Sequence, residues 1–217
     1  MSIFKTSLNR AEIHFDAPFL SSDGGLLVLK ELDDRIGLTE RLAKCIRDPR
    51  KGKSEHSVSK MLAQRVYGIA LGWEDCNDFN SESLGQDALY SLCLDGSPAS
   101  QPTLSRFENW IGRRDLHGLS RCLVELFIDR HTADPPKRIV IDMDATDDPT
   151  YGQQEFEYYH GYYGSHCYLP LIGFCSCDGA DEELVCAVLR PGNAHAGRRS
   201  ASILWKLVSR SRLCSST

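Results

Sequence analysis

The sequence predicts a mixed fold of the α/β (α+β) class: a helical N-terminal region, then three strands, then the start of one more helix. Three observations carry this. Apolar residues recur at three- and four-residue spacing from Leu26 to Phe127, the period of helices with one buried face. The pattern changes at Lys137. Arg138-Ile139-Val140-Ile141-Asp142-Met143-Asp144 is β-branched and alternating, as a strand is. Asp134-Pro135-Pro136 separates the two regimes, because proline lacks the helical N–H and pushes its predecessor out of the helical region.

Each element follows from its own residues. Ile13-His14-Phe15 reads as a short strand, and Ser22-Asp23-Gly24-Gly25 as a turn or helix cap. Leu26, Leu27, Leu29, Leu32 and Ile36 then keep helical spacing until Gly37. Leu38–Ile46 reads as a second short helix, leading into the basic loop Arg47–Glu55. Ser57 is expected to cap a helix to about Leu71, with Val58, Met61, Leu62, Val66 and Ile69 as its buried stripe and Gly72 beyond its end. Trp73–Asn80 is polar and acidic, and Asp87–Leu94 suits a short helix broken by Gly96-Ser97-Pro98. Thr103 is expected to cap the next helix, whose apolar edge is Leu104, Phe107 and Ile111. Asp115 is expected to cap a further one, packing Leu116, Leu119, Leu123, Leu126 and Phe127 inward. After the first strand come a tyrosine-rich polar stretch, a second strand over Cys167–Cys177, the turn Asp178-Gly179-Ala180 and a third strand over Glu183–Leu189. Pro191-Gly192-Asn193 closes it, and a helix starts within Ser200–Val208.

Composition narrows the function classes. The chain of 217 residues is 41% hydrophobic and 25% charged, which is ordinary for a globular protein and argues against disorder or coiled coil. Runs such as Leu169–Phe174 fall far short of the ~20 apolar residues of a membrane span, and Met1–Arg10 has no apolar core of a signal peptide. Nine cysteines, an odd number, point to reduced thiols in a cytosol rather than to a disulfide scaffold. The net charge of −5 argues mildly against a nucleic-acid partner, but the charge is uneven. Eight basic residues between Arg41 and Arg65 face only Asp48 and Glu55, and six more follow from Arg190 with no acid. Six acids lie between Asp142 and Glu157 with no base. Basic flanks around an acidic centre suit an enzyme that grips a polyanion and holds cations; solvated surfaces on an ordinary protein are the plainer reading.

The sharpest chemical feature is the strand itself. Side chains alternate along a strand, so Val140, Asp142 and Asp144 project together. Two carboxylates on a buried strand repel each other, and a divalent cation offsets that repulsion; oxygen-only ligands fit Mg²⁺ or Mn²⁺. Alternatively, one Asp caps the following turn and the other faces water. Cys175 and Cys177 share a strand face near Cys167 and Cys186, yet no Cys-x-x-Cys exists, and buried structural thiols are the favoured reading. His160, His166 and His195 lack metal-ligand spacing. Tyr151, Tyr158, Tyr159, Tyr162, Tyr163 and Tyr168 either stack on unpaired bases or fill and cover a small sheet. No GxxxxGK[ST], GxGxxG or GxSxG pattern is present, which removes support for nucleotide-cofactor and serine-hydrolase chemistry.

Six blocks run in order along the chain: Gly25-Leu26-Leu27-Val28-Leu29-Lys30-Glu31-Leu32-Asp33-Asp34-Arg35, Asp48-Pro49-Arg50, Gly72-Trp73-Glu74-Asp75-Cys76-Asn77-Asp78, Ser100-Gln101-Pro102-Thr103-Leu104-Ser105-Arg106-Phe107-Glu108-Asn109, Ile141-Asp142-Met143-Asp144-Ala145-Thr146-Asp147-Asp148-Pro149 and Leu189-Arg190-Pro191-Gly192-Asn193. Together they resemble the DDE transposases of bacterial insertion sequences, of the transposase DDE domain group 1 type. The resemblance implies residues 1–136 as a mainly helical DNA-binding region. It implies residues 137–217 as the N-terminal part of an RNase H-like catalytic domain: its first three antiparallel strands and first helix, with a divergent tail from about 198. Asp144, in Asp144-Ala145-Thr146, takes the place of the first catalytic acid, with Asp142 as runner-up or accessory ligand. The implied chemistry is phosphoryl transfer in DNA with two Mg²⁺ or Mn²⁺ ions, by water first and then by the freed 3′ hydroxyl. The implied partners are the element's terminal inverted repeats and target DNA, with self-association, in the bacterial cytoplasm at the nucleoid and away from membranes. Arg106, Arg113 and Arg114, on and after the helix at Thr103, are candidate DNA contacts; Arg50, Lys51 and Lys53 in the basic loop are others.

The pattern departs from the family in one respect. The second and third acids belong on later elements, but Glu183 is the last acidic residue. The expectation is a truncated copy, inactive by itself, whose strands over 138–190 expose an edge and an apolar face and are of low stability. The alternative is a non-catalytic DNA-binding module or inhibitor derived from a transposase. An unrelated metal-dependent nuclease on the same fold, or an inert product, are further readings.

Overall fold

A computed structural model describes residues 23–80, 88–195, 197 and 200–214; the expected strand at Ile13-His14-Phe15 lies outside them. The chain divides into two compact units, Met1–Leu119 and Ser120–Thr217.

The first unit is helical: α1 (Gly25–Ile36), α2 (Leu38–Ala43), α3 (Val58–Ala70), a 3₁₀ turn at Cys76–Asn80, α4 (Ala88–Cys93), α5 (Gln101–Trp110) and the start of α6 (Arg113–His131). Gly37, at φ +66°, ends α1 in the left-handed conformation that glycine adopts without penalty, and its N–H reaches Asp33 O at 2.7 Å. Ser57 caps α3 as expected, its side chain accepting from Lys60 N.

The core joins Leu26, Met61, Tyr90, Leu104 and Phe107, all buried. The face that α3 buries differs from the expected stripe. Met61, Gln64, Tyr67 and Gly68 point inward, while Ile69 is 54% exposed. Gln64 is tolerated there because its amide is satisfied on both sides: Nε2 donates to Ala99 O at 2.9 Å and Oε1 accepts from Ala99 N at 2.7 Å. Tyr90 Oη adds a bond to the backbone oxygen of Gln64. A second buried network holds the turn after α1. Asp33 accepts from Thr39 N, Thr39 Oγ1 and Tyr67 Oη at 2.8, 2.5 and 2.6 Å.

Two expected caps are displaced. Helix α5 begins at Gln101, ahead of Thr103, because Pro102 fits the first turn where its missing N–H costs nothing. Asp115 lies inside the first turn of α6 and caps from there, accepting from Gly112 N at 2.8 Å. Leu116 is exposed, whereas Cys122, Val124 and Phe127 supply the buried face further along α6.

The second unit contains the remainder of α6, six strands and α7 (Ser200–Cys214). The strands are β1 (Ile139–Ala145), β2 (Asp148–Pro149), β3 (Tyr158–His160), β4 (Ser165–Tyr168), β5 (Leu171–Cys177) and β6 (Glu183–Val188). The three principal ones form an antiparallel sheet in the order β1-β5-β6. The single second strand expected over Cys167–Cys177 is instead two. Pro170 interrupts the ladder, so β4 joins a small sheet of order β2-β4-β3 while β5 pairs with β1. One face of the main sheet is built by Ile141, Met143, Cys175, Cys177, Val185 and Cys186, and it packs on Val124, Phe127 and Ile128 of α6. Gly173 is required on that face, since a Cβ there would sit 2.8 Å from Met143 Sδ and 3.0 Å from Cys186 Cβ.

Candidate functional site

Strand β1 presents its side chains as the alternation demands. Ile141 and Met143 turn toward the core, while Val140, Asp142 and Asp144 share the other face and are exposed. Asp142 lies opposite Phe174 and Asp144 opposite Ile172 in the register. Two residues along a strand separate the two Cα atoms by about 7 Å, which leaves the carboxylates neighbours. The expectation of a buried strand is corrected. Every residue of β1 is at least partly exposed, and β1 is an edge of its sheet. Burial therefore does not force the two anions together; water reaches both.

The tyrosine stretch folds next to this strand end. Tyr163 Oη donates to Ala145 O at 3.3 Å, one residue beyond Asp144. Its phenol is held above the usual range by desolvation, then by the negative charges of Asp147 and Asp144. Tyr162 meets the Tyr163 ring edge-on at 5.0 Å, and the His160 ring lies 5.0 Å from Tyr163. Gly164, at φ +67°, closes the turn with its N–H on His160 O at 2.8 Å. Tyr162 is 86% exposed and Tyr159 59%, so neither ring fills the interior of the small sheet, and Tyr159 meets His166 of β4 at 5.7 Å.

The Leu189–Asn193 block is structural. Leu169 N donates to Arg190 O at 3.0 Å, and Arg190 Nε returns a bond to Leu169 O at 2.8 Å. Pro191 bridges Tyr168. Gly192 passes so close to the strand backbones that a Cβ would lie 2.0 Å from Cys167 O and 2.6 Å from Tyr158 O. The block thus fastens the chain after β6 onto β4 and β3. Glu183, the last acid, is engaged by His131 Nε2 and Arg130 Nη1, each at 2.9 Å. The thiols stay internal: Cys175, Cys177 and Cys186 are buried, burial pushes Cys175 up to about 11, and no disulfide joins the cysteines among the described residues.

In the first unit the basic loop is tied to the α5–α6 junction. Arg47 N donates to Asp115 Oδ1 at 3.1 Å. Arg50 grips Asp48 through Nε and Nη2 at 2.8 and 2.7 Å, and its guanidinium carbon lies 4.9 Å from the Trp110 ring centroid. Asp48 is held below the usual carboxylate range, chiefly by its hydrogen bond from Arg50. The Asp48-Pro49-Arg50 block is therefore a clasp, and Arg50 is already engaged. Lys51 and Lys53 are exposed in the loop, Arg113 and Arg114 at the start of α6, and Arg106 on α5. The basic loop therefore touches the α5–α6 junction at two points, Arg47 on Asp115 and Arg50 on Trp110. Sequence reasoning passed over Trp110, whose ring carries the Arg50 guanidinium and meets Phe107 edge-on.

Among the described residues no group of three or more His, Cys, Asp or Glu side chains is placed to hold a metal ion, and no helix is long and apolar enough to cross a membrane. No curated protein and no solved structure matches the chain. Residues 5–215 match the family described as transposase DDE domain group 1, a span that runs past the last of the six blocks. Matched over nearly its whole length, the chain belongs to the transposase DDE domain group 1 family.

Proposed function

We propose that this chain is an insertion-sequence transposase component that binds DNA through its helical unit and contributes Asp144, with Asp142, to a cation-dependent strand-cleavage and strand-transfer site. The observation that carries the reading is the pair of exposed carboxylates side by side on β1, in a chain that matches a DDE transposase family over residues 5–215. The antiparallel order β1-β5-β6 with α7 following supports an RNase H-like domain. Lys51, Lys53, Arg106, Arg113 and Arg114 are read as phosphate contacts, which position DNA without reading its sequence. Arg50 acts by holding the loop.

The donor set fits a hard divalent cation, Mg²⁺ or Mn²⁺, because both groups are carboxylates open to water. When bound, such a cation supplies positive charge to the phosphate oxygens and favours the hydroxide form of attacking water. The chain's own part is to present Asp144 and Asp142 on one rigid face. Two carboxylates are fewer than a two-cation site uses, so the pair is read as acting together with further acids supplied outside this chain. Hence the chain alone is read as binding DNA without cutting it.

The test is binding of duplex DNA from the gene's flanks, with and without Mn²⁺, together with a nicking assay. The reading expects Mn²⁺ to tighten binding, and Asp144→Ala to remove that gain while leaving salt-dependent binding intact. A second reading, a non-catalytic DNA-binding module or inhibitor, is favoured by the lack of a three-acid group among the described residues. It expects binding indifferent to Mn²⁺ and to Asp144→Ala.

A further inference from the structure

We propose that the open face of the β1-β5-β6 sheet is the docking surface for helix α7 of a second copy of the chain, in a head-to-tail contact. The inference goes beyond the DNA reading and does not depend on it. The antiparallel register sets Val140, Ile172, Phe174 and Leu184 on the face turned away from α6, with Asp142 and Asp144 at its β1 edge. The alternation is strict along β5, whose buried residues all point the other way. Val140 is 45% exposed and Leu184 42%, so no described element covers this face. None of the three strands carries a Lys or Arg.

Shape and charge select the occupant. Three strands span about 10 Å between their outer axes, the width of one helix. Two such sheet faces stacked on each other would add two more carboxylates to the contact and no base, which like charges oppose. Helix α7 has the complementary character. Its 15 residues include Lys206, Arg210 and Arg212 and no acid, so no side of it repels the carboxylates. Trp205 is 71% exposed on it and Leu204 39%. A tryptophan seated on an apolar face is the kind of anchor that dominates such contacts. The helix does not reach the open face of its own sheet, because Ile203 packs it against the cluster on the α6 side. The contact is therefore between copies. Helix and open face lie on opposite sides of one sheet, so each copy offers a helix to one neighbour and a face to another. Such a contact extends with concentration unless it closes as a ring.

The test is sedimentation velocity of the full chain without DNA, over a wide concentration range and at low and high salt. The inference expects wild type to grow beyond the monomer with concentration, and less so at high salt. Trp205→Glu on the helix and Leu184→Glu on the sheet should each weaken association by about tenfold or more. An equimolar mixture of the two should form a dimer and stop there, because one variant keeps an intact face and the other an intact helix. Val140→Lys replaces Leu184→Glu if circular dichroism shows that the latter has lost its sheet. Wild type that stays monomeric at every concentration overturns the inference. So does Trp205→Glu associating at wild-type strength, or a mixture of folded variants that stays monomeric. Association lost in Leu184→Glu but kept in Trp205→Glu would assign the face to another copy's sheet, and equally overturns it. Each of these outcomes leaves the DNA reading standing.

Discussion

Replacing Gln64 by leucine should destabilise the helical unit although the new side chain is apolar and of similar size. Gln64 is fully buried and both halves of its amide pair with the backbone of Ala99. Leucine leaves Ala99 N–H and C=O without partners in the core. Each orphaned group costs about 1–3 kcal/mol and added apolar burial offsets about 1–2 kcal/mol, so for the two groups together the net loss centres on about 2.5 kcal/mol. With a urea dependence near ~2 kcal/mol/M, the unfolding midpoint falls by about 0.5–2 M. Trp73 and Trp110 both lie in this unit and report the transition by fluorescence. A midpoint equal to or above wild type would refute the claim that the amide clamp, rather than volume, fixes the segment before α5.

Other outcomes follow from the same reasoning. Gly192→Ala should cost about 3 kcal/mol or more in the second unit, because the new Cβ meets backbone oxygens that cannot rotate away; thermal melts followed at the sheet signal would show it. Asp115 is held below its ordinary value of 3.8 by the N–H groups of Gly112 and Arg47. A carboxylate with a depressed folded pKa contributes stability that is present above its unfolded value and lost as pH falls through the folded one. Asp115→Ala should therefore lower the melting temperature at pH 7, and its difference from wild type should shrink as pH drops below about 4. A difference that is constant from pH 7 to pH 3 would count against the carboxylate as the cause.

Much of this architecture is legible in residue order, for physical reasons that can be named. The change of period at Lys137 marks real strands, and Gly37 and Ser57 terminate helices by local chemistry alone. The shared face of Asp142 and Asp144 follows from the two-residue repeat of a strand and needs no tertiary information. What escaped depends on distant partners. Gln64 looks like a surface residue until Ala99 is known to lie against it. Ile69 looks like core until α3 is seen to bury Tyr67 and Gly68 instead. The split at Pro170 follows from a proline that was read through as strand. The exposure of the tyrosine turn depends on how β3 and β4 pair. For Asp144 itself, a strand pattern cannot tell an open face from a covered one; only the packing of α6 on the opposite side reveals that the carboxylates face water.

The most direct test of the account is Mn²⁺ uptake by the full chain in the presence of flanking duplex DNA, read by the loss of the free-ion electron paramagnetic resonance signal. The account expects saturable uptake by wild type that falls at least tenfold in affinity in both Asp142→Ala and Asp144→Ala, with their helical and sheet signals unchanged. Uptake at wild-type affinity in both variants would contradict it, because the ion would then be held somewhere other than the open face of β1.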